Sequence, residues 1–356
     1  EFYDGSLWQE ITDTASTYVS GLIPSANFNT VIYSNPGLST PISVGFGPDM
    51  VLFKERNGTS SWQLYDTVRG DDYAFFTNLT DGQYNYSTHP NGDLSPTITS
   101  TGFTTPPVAN GGINSSSNFV SYSWKAGGAA TTISGVGTVN SDVSANTAAG
   151  FSIVKYTGND TSNTTVAHGL GGIPELIIVK EITAIRDWGV YCENIGNTGG
   201  LRINTSGAEY IREGWWNNTT PTNSVFTLGG SPQTDWYTTN QTGNDYIAYC
   251  WRSIPGYSKI GFYVGNGSTT GPEIYTGFKP AWLMTKPTTS GYWYILDNKR
   301  NTSNPRNTGL FPNDILAEIT NSAYDVDFND TGFQPKNNSI GFNTLGLTYI
   351  YMTFAE

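Results

Sequence analysis

Five mostly apolar residues recur three times along the chain. Each run is entered through Gly-x-x-Pro and closed by a lysine. Asp49-Met50-Val51-Leu52-Phe53 follows Gly45-Phe46-Gly47-Pro48 and ends at Lys54. Glu175-Leu176-Ile177-Ile178-Val179 follows Gly171-Gly172-Ile173-Pro174 and ends at Lys180. Ala281-Trp282-Leu283-Met284-Thr285 follows Gly277-Phe278-Lys279-Pro280 and ends at Lys286. A short, nearly continuous apolar run predicts a strand buried on both faces. The glycine admits a turn, and the proline sits at a strand start, where its missing N–H costs little.

The pattern extends on both sides of each run. A tryptophan follows each lysine, at Trp62, Trp188 and Trp293, and opens a second strand. Opening strands are predicted at Phe28 to Tyr33, Phe151 to Tyr156 and Ile260 to Val264, and closing aromatic strands at Phe119 to Trp124, Tyr246 to Trp251 and Tyr349 to Phe354. A shorter strand carrying Phe103, Phe226 or Phe333 precedes each closing strand. Anchors in one order at one spacing mark an internal repeat. The expected fold is all-β: three tandem β-sandwich repeat units in series, jelly-roll-like or immunoglobulin-like. The expected units are 27–126, 150–252 and 256–356. A Gly/Ala/Ser/Thr-rich connector at 127–149 has room for a hairpin, and a short linker occupies 253–255. Residues 1–26 stand outside the repeat; within them Thr17 to Ile23 reads as a strand that either packs on its own unit or pairs with a neighbouring chain.

Composition narrows the class of function. Only 13% of the 356 residues are charged, aromatics reach 14%, and the net charge is −12. That charge opposes binding to nucleic acid and docking on anionic lipid. No apolar run approaches the roughly 20 residues of a membrane helix. The chain begins with neither an initiator Met nor a signal peptide, as expected of a processed product or a piece of a larger protein.

Candidate chemistry is sparse. The histidines are His89, in a polar loop, and His168, at a turn where the other units carry Ile42 and Ile274; both read as structural. Cys192 and Cys250 are too few for a zinc site and leave a single disulfide or two free thiols. Asp325, Asp327, Asn329 and Asp330 alternate like oxygen ligands for Ca²⁺, but lack the glycine and distal glutamate of an EF-hand and read as a solvated loop. Asp66 with Arg69, and Asp297 with Arg300, read as local ion pairs holding a turn, each contributing about 0–1 kcal/mol if exposed. The second unit has Cys192 and Ile195 there instead. No catalytic residue, cofactor or metal is expected. Trp215, Trp216, Trp236 and Tyr237 are the candidate aromatics for stacking on a sugar ring; the alternative is that they fill a packing contact.

Asn-x-Ser/Thr occurs 14 times, about twice the chance expectation. The sites are Asn57, Asn78, Asn85, Asn114, Asn159, Asn163, Asn204, Asn217, Asn218, Asn240, Asn266, Asn301, Asn329 and Asn337. They are N-glycosylation acceptors only if the chain passes through a eukaryotic secretory route.

Val143-Ser144-Ala145-Asn146 and Ala149 through Asn159 resemble a tandem β-repeat domain of structural proteins, tail-fibre-like or virion-appendage, of marine bacteriophages and algal viruses. So do His168-Gly169-Leu170-Gly171, Trp62 through Gly70 and Tyr349 through Glu356. The resemblance runs from about residue 27 to the end. It implies a non-enzymatic, extracellular structural protein of a virion fibre or surface appendage, self-associating into an oligomer or filament with other surface proteins as neighbours. A carbohydrate-binding adhesin recognising host glycans is the alternative expectation, and a glycan-degrading virion enzyme ranks third.

Overall fold

The computed structural model describes residues 22–110, 112–233, 235 and 237–355, and the backbone of 2–3 and 8–9. Trp236 lies outside these residues, as does the expected strand Thr17 to Ile23 up to Gly21. The chain is all-β, and among the described residues the helices are single turns.

Four strands from each of three segments form the common part of three main sheets. The first segment supplies β1 (Phe28–Ser34), β2 (Met50–Glu55), β3 (Gln63–Asp66) and β4 (Asn118–Trp124). The second supplies β5 (Phe151–Thr157), β6 (Leu176–Glu181), β7 (Gly189–Cys192) and β8 (Asp245–Trp251). The third supplies β9 (Ser258–Val264), β10 (Pro280–Pro287), β11 (Tyr294–Asp297) and β12 (Thr348–Ala355). The antiparallel orders are β1-β4-β2-β3, β5-β8-β6-β7 and β9-β12-β10-β11, so one connection pattern recurs in each segment. The first glycine of each Gly-x-x-Pro has positive φ (98° at Gly45, 65° at Gly171, 85° at Gly277), a backbone that residues with a Cβ rarely adopt.

The apolar runs are buried on both faces because the two faces serve different cores. Successive side chains on a strand point to opposite faces. Met50 and Leu52, Leu176 and Ile178, and Trp282 and Met284 all enter one core shared by the three segments. Their alternates enter three separate cores: Val51 and Phe53 in the first, Ile177 and Val179 in the second, Leu283 in the third. Small second-layer sheets cover those separate cores. Phe103 enters from Gly102–Thr104, Phe226 from Val225–Leu228 and Phe333 from Gly332–Pro335. Each segment is therefore a sandwich. The segments also pack on one another: one face of each main sheet enters the shared core, because that face is as apolar as the other and must also leave water.

The connector forms the hairpin it has room for. Thr131–Ile133 pairs with Ser141–Asn146, and Ser141–Asn146 lies against β5, extending the second sheet.

Candidate functional site

The three segments meet through one device repeated with different partners. The indole of each repeated tryptophan donates a hydrogen bond to a backbone carbonyl of another segment. Trp62 Nε1 reaches Phe311 O at 2.7 Å, Trp188 Nε1 reaches Leu79 O at 3.1 Å, and Trp293 Nε1 reaches Arg202 O at 2.9 Å. First bonds to third, second to first, third to second: the contacts close a ring. Backbone bonds run alongside, from Gln83 N to Ile182 O, Glu209 N to Thr288 O and Glu318 N to Arg56 O. The boundary between first and third segments, which the chain does not connect covalently, also carries a bidentate ion pair. Arg56 donates from Nε and Nη2 to Glu318, both at 2.9 Å.

Each tryptophan is held by an asparagine that sequence reading did not single out for this purpose. The backbone N–H of Trp62 donates to Asn78 Oδ1 at 3.0 Å, that of Trp188 to Asn204 Oδ1 at 3.1 Å, and that of Trp293 to Asn313 Oδ1 at 2.9 Å. The spacing from Trp to Asn varies with loop length, which is why it escapes a search at fixed period. The three lysines shape the same loops. Lys54 Nζ donates to Glu55 O and Ser60 O at 2.9 Å, and across the boundary to Ile315 O at 3.1 Å. Lys180 Nζ donates to Glu181 O at 2.9 Å, and Lys286 Nζ to Pro287 O at 2.6 Å and Thr289 O at 2.8 Å. Burial lowers their pKa, to about 8 for Lys54 and Lys180 and about 7 for Lys286.

The Asp–Arg pairs hold their turns, as expected, and they do so buried. Asp66 and Arg69 are 0% and 1% exposed, and Asp297 and Arg300 are both 0%. Each aspartate caps its own turn, through Arg69 N at 2.9 Å or Arg300 N at 2.8 Å, and binds its arginine Nε at 2.6 Å. Each also accepts a tyrosine hydroxyl from the next segment: Tyr249 on Asp66 Oδ2 at 2.7 Å and Tyr122 on Asp297 Oδ2 at 2.9 Å. Burial raises both phenol pKa values well above the usual value. The aspartate beside each arginine holds the guanidinium pKa up against the opposing effect of burial. At the remaining boundary Cys192 replaces the aspartate and Met352 the tyrosine. They line one cavity of about 10 Å³ with Leu176, Met284, Trp293 and Ile350. The polar set and the apolar set are each complete, because either partner alone would leave a buried group unmatched.

At the centre, Trp124 of the first segment lies 6.3 Å from Trp251 of the second and 5.9 Å from Trp282 of the third, centroid to centroid. Phe28 stacks on Phe354 at 4.5 Å. A cavity of about 40 Å³ remains there, bounded by side chains of all three segments, among them Met50, Ile178 and Met352.

The residues proposed for sugar stacking do not form a platform. Trp215 and Trp216 are buried, Trp215 against Gly200, where a Cβ would meet the indole at 3.0 Å, and Trp216 edge-on to Tyr191 at 5.6 Å. Trp236 lies outside the described residues. Tyr237 is partly exposed, but the Arg186 guanidinium lies over its ring at 4.8 Å. The Cys192–Cys250 disulfide is excluded. β6 lies between the two strands, and Cys192 faces the shared core while Cys250 faces the second segment's own core. Strands two apart in a sheet are about 9–10 Å distant, beyond disulfide reach.

His168 is buried and neutral. Its Nε2 lies 3.1 Å from Thr222 O, and its Nδ1 accepts from Leu170 N at 3.2 Å; burial lowers its pKa to about 4. His89 Nδ1 accepts from Asn91 N in a surface turn. Asp325 accepts from Asn307, and Asp327 lies 4.0 Å from Lys336. No cluster of three His, Cys, Asp or Glu side chains suited to a metal is present among the described residues. Among the sequons, Asn57, Asn163, Asn218, Asn266 and Asn329 are exposed, and Asn78, Asn85, Asn159, Asn204, Asn217 and Asn301 are half-buried. Asn114, Asn240 and Asn337 are corrected as acceptors: they are buried, with Nδ2 already donating to backbone carbonyls.

One open groove combines an exposed ring with polar groups. It has about 390 Å³, and Glu273, Tyr275, Asn329 and Thr331 line it, with Tyr275 67% exposed. Composition gives no signal for it, because an isolated Tyr in a polar stretch is ordinary. No helix of the described residues is long and apolar enough to cross a membrane.

A family model described as "Domain of unknown function (DUF7483)" matches residues 23–356. No curated protein and no solved structure matches the chain.

Proposed function

We propose that this chain, which belongs to the DUF7483 family, is a non-enzymatic structural module of an extracellular assembly, a virion fibre or surface appendage. Its three segments are read as repeats of one unit closed into a ring. The observation carrying this reading is that the tryptophan recurring in every segment bonds to a neighbouring segment, while the recurring asparagine and lysine fix the loops that present it. A ring locked at each boundary is a rigid spacer, which is what a fibre or coat needs. The test is cryo-EM of the native assembly. Repeated copies of this fold within a particle or filament support the reading. A freely diffusing monomer that turns over a polysaccharide overturns it.

A second reading is a carbohydrate-binding adhesin, and the Tyr275 groove favours it. An exposed ring presents a π face to sugar C–H groups, and Glu273, Asn329 and Thr331 offer hydrogen bonds to hydroxyls. Binding on a glycan array that Tyr275→Ala abolishes, with the melting temperature unchanged, would support it. Retained binding in that variant would remove the groove from the account.

A further inference from the structure

The four strands common to the three main sheets share one order, but the sheets differ in what lies beyond β1, β5 and β9. In the second, β5 is covered: Ser141–Asn146 pairs along it from Ser141↔Tyr156 to Asn146↔Phe151. The covering strand comes from the chain just upstream and turns back through Thr147–Gly150. In the first, β1 is also an edge strand among the described residues. In the third, the described residues supply no such strand. Ser253 and Ile254 stand where the covering strand would end, and only Arg252 separates Ser253 from β8, which is already paired on both sides.

The edge of β9 is open over its second half. Ser258 exchanges backbone bonds with Ile254, and Ile260 N donates to Ser253 Oγ at 3.0 Å. Those bonds identify Ser258, Ile260, Phe262 and Val264 as the residues whose backbone groups point away from β12. The outward groups of Phe262 and Val264 have no partner among the described residues. Their side chains are 53% and 49% exposed. An unpaired edge carrying apolar side chains is a template for another strand.

We infer that β9 pairs antiparallel with β9 of a second copy of this chain, about a two-fold axis at Phe262. This deepens the assembly reading above by naming a contact face, and it rests on that reading only for its biological setting. The strand is suited to meeting itself. Its one charged residue is Lys259, in a chain of net charge −12, so no carboxylate on the strand opposes its mate. In this register Phe262 faces Phe262 and Val264 faces Ile260, giving aromatic and β-branched cross-strand pairs. Val264 N–H would donate to the partner's free carbonyl at Ile260. Ile260 N–H, already bound to Ser253, is not required.

The experiment is light scattering coupled to size-exclusion chromatography on the full chain, from about 1 to 100 µM, beside Phe262→Lys and Phe262→Cys. The wild type should show twice the mass of one chain. Phe262→Lys should run at the monomer mass with an unchanged melting temperature, since a charged edge discourages pairing. Phe262→Cys should form a covalent dimer under mild oxidation, because directly opposed hydrogen-bonded residues have Cα atoms about 5.5 Å apart, within disulfide reach. Cys192 and Cys250 are buried and do not compete. A wild type that stays monomeric overturns both this inference and self-association. An oligomer unaffected by Phe262→Lys overturns the β9 contact and leaves assembly standing. An oligomer that Phe262→Lys dissolves but Phe262→Cys does not cross-link assigns the edge to a different strand, such as the N-terminal segment of a second copy, and overturns the two-fold pairing.

Discussion

The hydroxyl of Tyr249 lies 2.7 Å from Asp66 Oδ2, across the boundary between second and first segments. That aspartate already caps its own turn and holds Arg69. One carboxylate thus fixes a turn, neutralises a buried guanidinium and anchors a neighbouring sheet. Tyr249→Phe removes only the anchor and should cost about 1.5–3 kcal/mol, the range for a hydrogen bond to a charged group. Asp66→Ala strands Arg69 without its partner and should cost about 3–5 kcal/mol. Urea unfolding of the two variants checks the ordering. Equal losses would mean that the boundary bond dominates.

The same position in the remaining boundary gives a sharper test. Cys192→Asp puts a carboxylate among Met352, Met284 and Leu176 with no basic partner, and should destabilise by about 3–5 kcal/mol. Adding Ile195→Arg and Met352→Tyr rebuilds the set found at the other two boundaries and should recover most of that loss. A triple variant no more stable than Cys192→Asp alone would show that the boundaries are not interchangeable.

His168 predicts a pH dependence of known sign. Its folded pKa, about 4, lies below the unfolded value near 6.5. The unfolded chain therefore binds more protons between these values, and stability rises with pH across that window. The contribution is complete above about pH 6.5 and is lost as pH falls toward 4, a swing of about 2–3 kcal/mol. In His168→Gln that portion of the slope should vanish. The difference between wild-type and variant melting curves over pH 4–7 isolates it from the carboxylates.

Expression through a eukaryotic secretory route should sort the sequons by burial. Folded protein should carry glycans at exposed sites such as Asn163, Asn218, Asn266 and Asn329, and none at Asn114, Asn240 or Asn337. Peptide mass spectrometry reads occupancy directly. A glycan on Asn240 of folded protein would contradict its placement, since its Nδ2 donates to Gly229 O at 2.6 Å.

The strands were legible because alternation and turn chemistry are local. Leu176 through Val179 announce a strand buried on both faces, and Gly171 and Pro174 announce its entry. What lay beyond reach was which core each face enters. Ile177 and Ile178 are alike in sequence, yet one faces a core private to its segment and the other a core shared by all three. Without that distinction the serial arrangement was the simplest reading. Asp66–Arg69 looked local because its third partner, Tyr249, is 183 residues away. Trp215 and Trp216 sit in a polar, turn-rich stretch and looked exposed. Trp215 is buried because Gly189 and Gly200 leave room beneath it, and Trp216 because it packs on Tyr191.

The central claim is that three segments sharing one core form one cooperative unit. Differential scanning calorimetry tests it most directly, by comparing the calorimetric enthalpy with the van't Hoff enthalpy of the transition. A single two-state transition of the whole chain, on the order of 200 kcal/mol and shifted as a unit by Tyr249→Phe, is the predicted result. Two or three separate transitions, with Tyr249→Phe moving only one of them, would mean that the segments fold as independent beads and that the ring does not hold them together.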